Sequence, residues 1–119
     1  MRDKQLEEVA RIVPRYQFEV RFKIEIERLD GTLVTEGWAR DLSESGLGAF
    51  VAKELLLGEL AKLRIPLPGG VELVIPARVT RSLGTQYGFQ FTALSLTQRK
   101  EILRVLANSK AIPYIPAVI

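Results

Sequence analysis

Five apolar side chains, Phe18, Val20, Phe22, Ile24 and Ile26, alternate with five charged ones, Glu19, Arg21, Lys23, Glu25 and Glu27. A two-residue period lines up on one face only in an extended chain, whereas on a helix the same residues would scatter round the whole circumference. The run therefore predicts a strand with one face buried and the other in water. Asp30-Gly31 follows it within "LDGTL", a strong hairpin signal, so a second strand running through Trp38 to Leu42 should pair with the first. Further short strands are expected at 46–52, 59–67, 71–80 and 86–94, separated by the Pro68-Gly69-Gly70 turn and a turn at 82–85. Pro76 falls inside one of them and, lacking an N–H, requires an edge position or a bulge.

Strands joined by tight turns, with no helix between them, predict a mainly β protein, an antiparallel barrel or sandwich. The last periodic stretch is different in kind. Thr97 is placed to cap a helix on which Ile102, Leu103, Val105 and Leu106 share a face. Leu6, Val9 and Ala10 have helical spacing as well, which predicts a lead-in helix over 3–12 that Pro14 ends. The final segment, "AIPYIPAVI", is apolar and carries two prolines, so it is expected to be an extended tail packed on the barrel or on a partner. The expected organisation is an arm over 1–14, a barrel with its helix over 15–109, and the tail over 110–119.

With 119 residues the chain suits a single core. It contains neither Cys nor His, which removes thiol nucleophiles, His-based general bases and the usual zinc ligands. No metal site, no cofactor and no enzymatic activity are expected. A net charge of +3 favours an anionic partner. No single strand interleaves aromatics with a basic stripe, so nucleic acid is not the expected one. No stretch approaches the roughly 20 apolar residues of a membrane span, and the charged start is unlike a signal peptide. The default compartment is the cytosol.

Between the second and third expected strands lies "ARDLSESGLGAF", which carries Asp41, Ser43 and Gly46. An Asp and a Ser before a glycine are what a turn uses to bond its own backbone. They are equally what a polar ligand needs, since Asp accepts hydrogen bonds and Ser both gives and accepts them.

The order of these pieces, six strands and a helix with Asp-x-Ser-x-x-Gly after the second strand, resembles the PilZ family of bacterial cyclic-di-GMP receptors. "PARVTRSLGTQYGFQF" is similar to that family's last two strands, and Arg11 with Arg15 matches its Arg-x-x-x-Arg motif before the first strand. In a rival register Arg15 is the first arginine, Glu19 breaks the pair, and Arg21 is the fallback ligand. Ala10 stands where many members double the first arginine. The resemblance implies a six-stranded barrel with a C-terminal helix. It implies a cyclic-di-GMP site built from Arg11, Arg15, Asp41, Ser43 and Gly46, with Arg21 and Arg81 as ancillary cations. It also implies an unidentified protein effector, with a homodimer through tail or helix left open.

That chemistry is coherent residue by residue. Guanidinium groups grip phosphate bidentately and stack on purines. Asp41 suits the N1 and N2 donors of guanine, and Gly46 allows either a positive φ or a close backbone approach. Trp38 and Tyr87 are expected in the core or at the barrel rim, Arg78 as an electrostatic helper, and Glu19, Glu25 and Glu27 as a solvated face.

Overall fold

The computed structural model describes residues 13–113. Arg11, the helix expected over 3–12 and the tail beyond 113 lie outside the described residues. The elements are β1 (Arg15–Arg28), β2 (Gly31–Leu42), β3 (Gly46–Val51), β4 (Leu60–Pro66), β5 (Glu72–Leu83), β6 (Gln86–Phe91), α1 (Leu96–Ala107) and β7 (Ala111–Ile112). All strand pairs are antiparallel, in the order β2-β3-β6-β5-β4-β1-β7, and a further β1–β2 pairing closes the first six strands into a barrel. Closure removes the open sheet edges that would otherwise invite aggregation.

The alternation of β1 does what its period requires: Phe18, Phe22, Ile24 and Ile26 are buried, Val20 is half-buried against them beside a register shift, and the charged residues between face outward. Leu63, Ile65, Leu73, Ile75, Val79 and Phe89 meet them from the other strands, and Phe22 packs edge-on against Phe89 with ring centroids 6.1 Å apart. Edge-to-face contact suits the ring quadrupoles. Helix α1 adds Ile102, Val105 and Leu106 to this core, whereas Leu103 is largely exposed and does not share the buried face.

The helix starts earlier than Thr97. Ser95 is the N-cap, its hydroxyl accepting from the Gln98 N–H while the Gln98 side chain accepts from the Ser95 N–H. This reciprocal capping box satisfies two otherwise orphaned donors, which Thr97 cannot do from inside the first turn. Pro76 meets its constraint locally: β5 pairs with β6 only from Ala77 onward, and the Pro76 carbonyl accepts from the Thr92 N–H just past the end of β6. Of the expected tail, Ala111 and Ile112 pair with Tyr16 and Arg15 at the start of β1.

Candidate functional site

The connection from β2 to β3 is tight. The Ser43 N–H donates to the Gly46 carbonyl at 2.9 Å, and the Ser43 hydroxyl accepts from the N–H groups of Ser45 and Gly46, each at 3.2 Å. Ser43 is 1% exposed, so its hydroxyl is engaged by the turn's own backbone. Gly46 is not among the described glycines with positive φ. A Cβ added there would lie 2.2 Å from the Phe89 carbonyl oxygen. The need for glycine is thus a close approach of β3 to β6, which a side chain would block.

Beyond the turn, four residues stand side by side across four strands. Asp41 of β2 pairs with Gly48 of β3, Gly48 with Gly88 of β6, and Gly88 with Arg81 of β5. Bulges break the register between Ala39 and Asp41 and between Val79 and Arg81. Their effect is visible in burial: Ala39 and Leu42 are buried while both residues between them, Arg40 and Asp41, are turned towards solvent. A bulge places successive side chains outside where strict alternation would bury one. The two glycines leave the floor bare, and the flanking side chains lie over it. A Cβ at Gly48 would meet Asp41 Oδ2 at 2.6 Å, and one at Gly88 would meet Arg81 Nε at 2.9 Å.

Arg15 reaches this row from β1, its Nη1 donating to Asp41 Oδ1 at 2.5 Å. Two grooves open on either side of Arg81, which lines both. One, of about 440 Å³, includes Arg15, Ser43, Ser45, Thr80 and Gln90. The other, of about 390 Å³, includes Asp41, Gly48 and Gly88. Four of the five residues expected at the site, Arg15, Asp41, Ser43 and Gly46, are thus neighbours, together with Arg81. The site brings one carboxylate and three guanidinium groups, those of Arg15, Arg40 and Arg81, to two adjoining grooves with a backbone floor. That combination suits a flat, anionic molecule with hydrogen-bond donors on its edge.

Other residues are placed elsewhere. Arg21 lines neither groove, and its guanidinium lies 5.8 Å from the centroid of the outward-facing Trp38. Arg78 donates to the Gly58 carbonyl at 2.9 Å and so holds a loop. Tyr87 borders the groove of Asp41 and Arg81, but its side chain is buried and its hydroxyl accepts from the Leu55 N–H. The expected solvated glutamates are partly engaged: Glu25 takes a hydrogen bond from Arg64 at 2.8 Å, which lowers its pKa, and Glu27 accepts from the Thr32 hydroxyl. Sequence reasoning missed Gly48, Gly88 and Arg40 as parts of the site. The only signal for the glycines was their presence in the middle of otherwise apolar strands, which marks close backbone approach. Among the described residues no group of three or more His, Cys, Asp or Glu could hold a metal ion, and no helix is long and apolar enough to cross a membrane.

A closed six-stranded antiparallel barrel with a terminal helix, and a polar groove bordering the β2–β3 turn, define a small β-barrel domain. Residues 10–108 match the PilZ domain, and the chain belongs to that family. It is 33% identical over 73 residues to the cellulose synthase catalytic subunit (UDP-forming) of Pseudomonas fluorescens strain SBW25, a match covering 60% of this chain and 10% of that protein. The chain thus matches about a tenth of that relative's length. Among solved structures it is similar to the PilZ domain of CeSA from a cellulose-synthesizing bacterium, with a TM-score of 0.62, 24% identity, and 79% and 95% of the two chains covered. It is also similar to the PilZ domain of YcgR from Escherichia coli, a structure containing c-di-GMP, with a TM-score of 0.61, 16% identity, and 79% and 86% coverage. At these identities the structural likenesses speak for the fold.

Proposed function

We propose that the chain is a cyclic-di-GMP-binding regulatory domain whose ligand docks along the Asp41–Gly48–Gly88–Arg81 row and is clamped by Arg11 of the arm and Arg15 at the start of β1. The observation that carries this reading is the Arg15–Asp41 ion pair at the junction of the two grooves. Both partners have their strongest natural use in such a ligand: the carboxylate with the guanine N1 and N2 donors, the guanidinium with phosphate. The side chains are 40% and 23% exposed, and an ion pair so open to water is worth about 0–1 kcal/mol. Each charge-assisted hydrogen bond to a ligand brings about 1.5–3 kcal/mol, so exchanging the internal pair for two ligand contacts is favourable.

The exchange supplies a route to an output. Arg15 begins β1 and pairs with Ile112 of β7, so a ligand that draws Arg15 away from Asp41 acts on the end of β1 that carries β7. A partner that reads this surface would sense occupancy. The c-di-GMP in the YcgR domain and the cellulose synthase relative are consistent with this role in a larger signalling assembly.

A second reading is a PilZ-fold adaptor that binds no nucleotide and acts through protein contacts. It is favoured by one observation, the engagement of the Ser43 hydroxyl by its own turn. Calorimetric titration of cyclic-di-GMP, with GTP and cyclic-di-AMP as controls, separates the two. Micromolar or tighter binding that is lost in Arg15→Ala and Asp41→Ala establishes the receptor. The absence of both heat and thermal shift at high ligand concentration leaves the adaptor.

A further inference from the structure

Next to the Asp41–Gly48–Gly88–Arg81 row runs a second row of different chemistry. Phe50 of β3 pairs with Gln86 of β6, and Gln86 pairs with Leu83 of β5. All three line the same groove as Asp41 and Arg81. Leu83 is 77% exposed, although nothing in a two-residue hairpin turn such as Gly84-Thr85 requires a large apolar side chain beside it. Phe50 is half-buried, and the guanidinium of Arg40 lies 5.0 Å from its ring centroid.

Resting on the cyclic-dinucleotide reading, we infer that Phe50, Gln86 and Leu83, covered by Arg40, form a slot for a second purine base. Phe50 and Leu83 stand two strands apart, roughly 10 Å at the backbone. A flat ring between two apolar side chains needs a van der Waals contact of about 3.5–4 Å on each side, which fits within that backbone spacing. Gln86 stands on the strand between them, and its amide carries one acceptor and two donors able to pair with a base edge. The Arg40 guanidinium is planar and already lies over the Phe50 ring, a position from which it can also cover a purine. The carboxylate end of the groove satisfies one guanine. The apolar end offers what a second base requires and a phosphate does not. A cyclic dinucleotide would span both ends, and a mononucleotide only one.

The discriminating experiment is calorimetry with cyclic-di-GMP and with GMP, on the wild type, Phe50→Ala, Leu83→Ser and Arg40→Ala, with Leu57→Ser as a control. Leu57 is exposed on the β3–β4 loop and lines neither groove. Trp38, the only tryptophan, pairs with Phe50, so its emission gives an independent signal of slot occupancy. Removing a stacking side chain should weaken the cyclic dinucleotide about tenfold or more, leave GMP binding unchanged, and abolish the Trp38 response in Phe50→Ala. Leu83 is too exposed for its loss to unfold the barrel, so Leu83→Ser tests the slot even if Phe50→Ala is unstable. Wild-type binding of cyclic-di-GMP that Phe50→Ala, Leu83→Ser and Arg40→Ala all leave unchanged overturns the slot alone. A wild type that does not bind cyclic-di-GMP overturns the parent reading and the slot with it.

Discussion

Arg15 and Asp41 lie on adjacent strands, and Arg15 Nη1 meets Asp41 Oδ1 at 2.5 Å while Asp41 Oδ2 lies over the bare backbone of Gly48. One carboxylate thus ties the first strand to the floor of the groove. Because this pair is solvent-exposed, its removal should cost the fold little. Asp41→Asn should shift the melting temperature by only a few degrees, about 1 kcal/mol or less. The same change should weaken cyclic-di-GMP binding at least tenfold, since an amide presents a donor where guanine also donates. Paired thermal melts and titrations check this, and a loss of binding that merely tracks unfolding would count against a ligand role for Asp41.

Two glycines of the third strand should respond in opposite ways. Gly46→Ala forces a Cβ against the Phe89 carbonyl oxygen, a backbone atom that yields only if β3 and β6 separate. A destabilisation of about 1–3 kcal/mol or more is expected, as for other overpacked sites. Gly48→Ala instead meets the Asp41 carboxylate, the mobile end of a side chain. That variant should fold and melt close to the wild type yet bind cyclic-di-GMP poorly, because Asp41 has been pushed from its place. Denaturant titration and calorimetry on the two proteins read both effects.

The division of labour in "DLSESG" was only half legible in the sequence. Strand periodicity placed the loop between β2 and β3, and the Asp-Ser-Gly spacing marked it as special. Whether Ser43 faces a ligand or its own backbone depends on how the turn closes, and residue spacing does not encode that. The grooves were hidden for a related reason. Asp41, Gly48, Gly88 and Arg81 are neighbours only through strand register, and two bulges set that register. The outer face likewise sets Arg21 beside Trp38 and Trp38 beside Phe50 only through the register of three strands. The core was far easier to read, because period two in β1 fixes which face is buried whatever its partners are.

Ser43→Ala should act on stability first. It removes the acceptor of two N–H groups in a buried turn, at a cost of about 1–3 kcal/mol for stranded donors. A fall in melting temperature of roughly 4–8 °C per kcal/mol follows for a domain of up to 100 residues, and somewhat less for a longer one. If binding is measured well below the melt, the folded variant should retain more affinity than Asp41→Asn does. Equal losses in the two variants would reassign the Ser43 hydroxyl to the ligand.

At one end of the barrel, Arg28 of β1 donates from Nε and Nη2 to the two carboxylate oxygens of Glu59, and the Leu56 N–H donates to the same group. The Arg28 hydrogen bond is the largest influence on Glu59 and holds its pKa below the usual value of 4.5, against a smaller desolvation effect in the other direction. A carboxyl whose pKa is lower folded than unfolded stabilises the fold above the unfolded value. That stabilisation is lost as pH falls through the lowered one. Glu59→Gln should therefore be less stable than the wild type at neutral pH. The gap should persist above the unfolded carboxyl's pKa of about 4.3 and narrow as the pH is taken progressively below it. Urea denaturation of both proteins across that range measures the gap directly. A difference that stays constant to the acid end would mean that the Gln variant has lost packing or hydrogen bonds rather than charge.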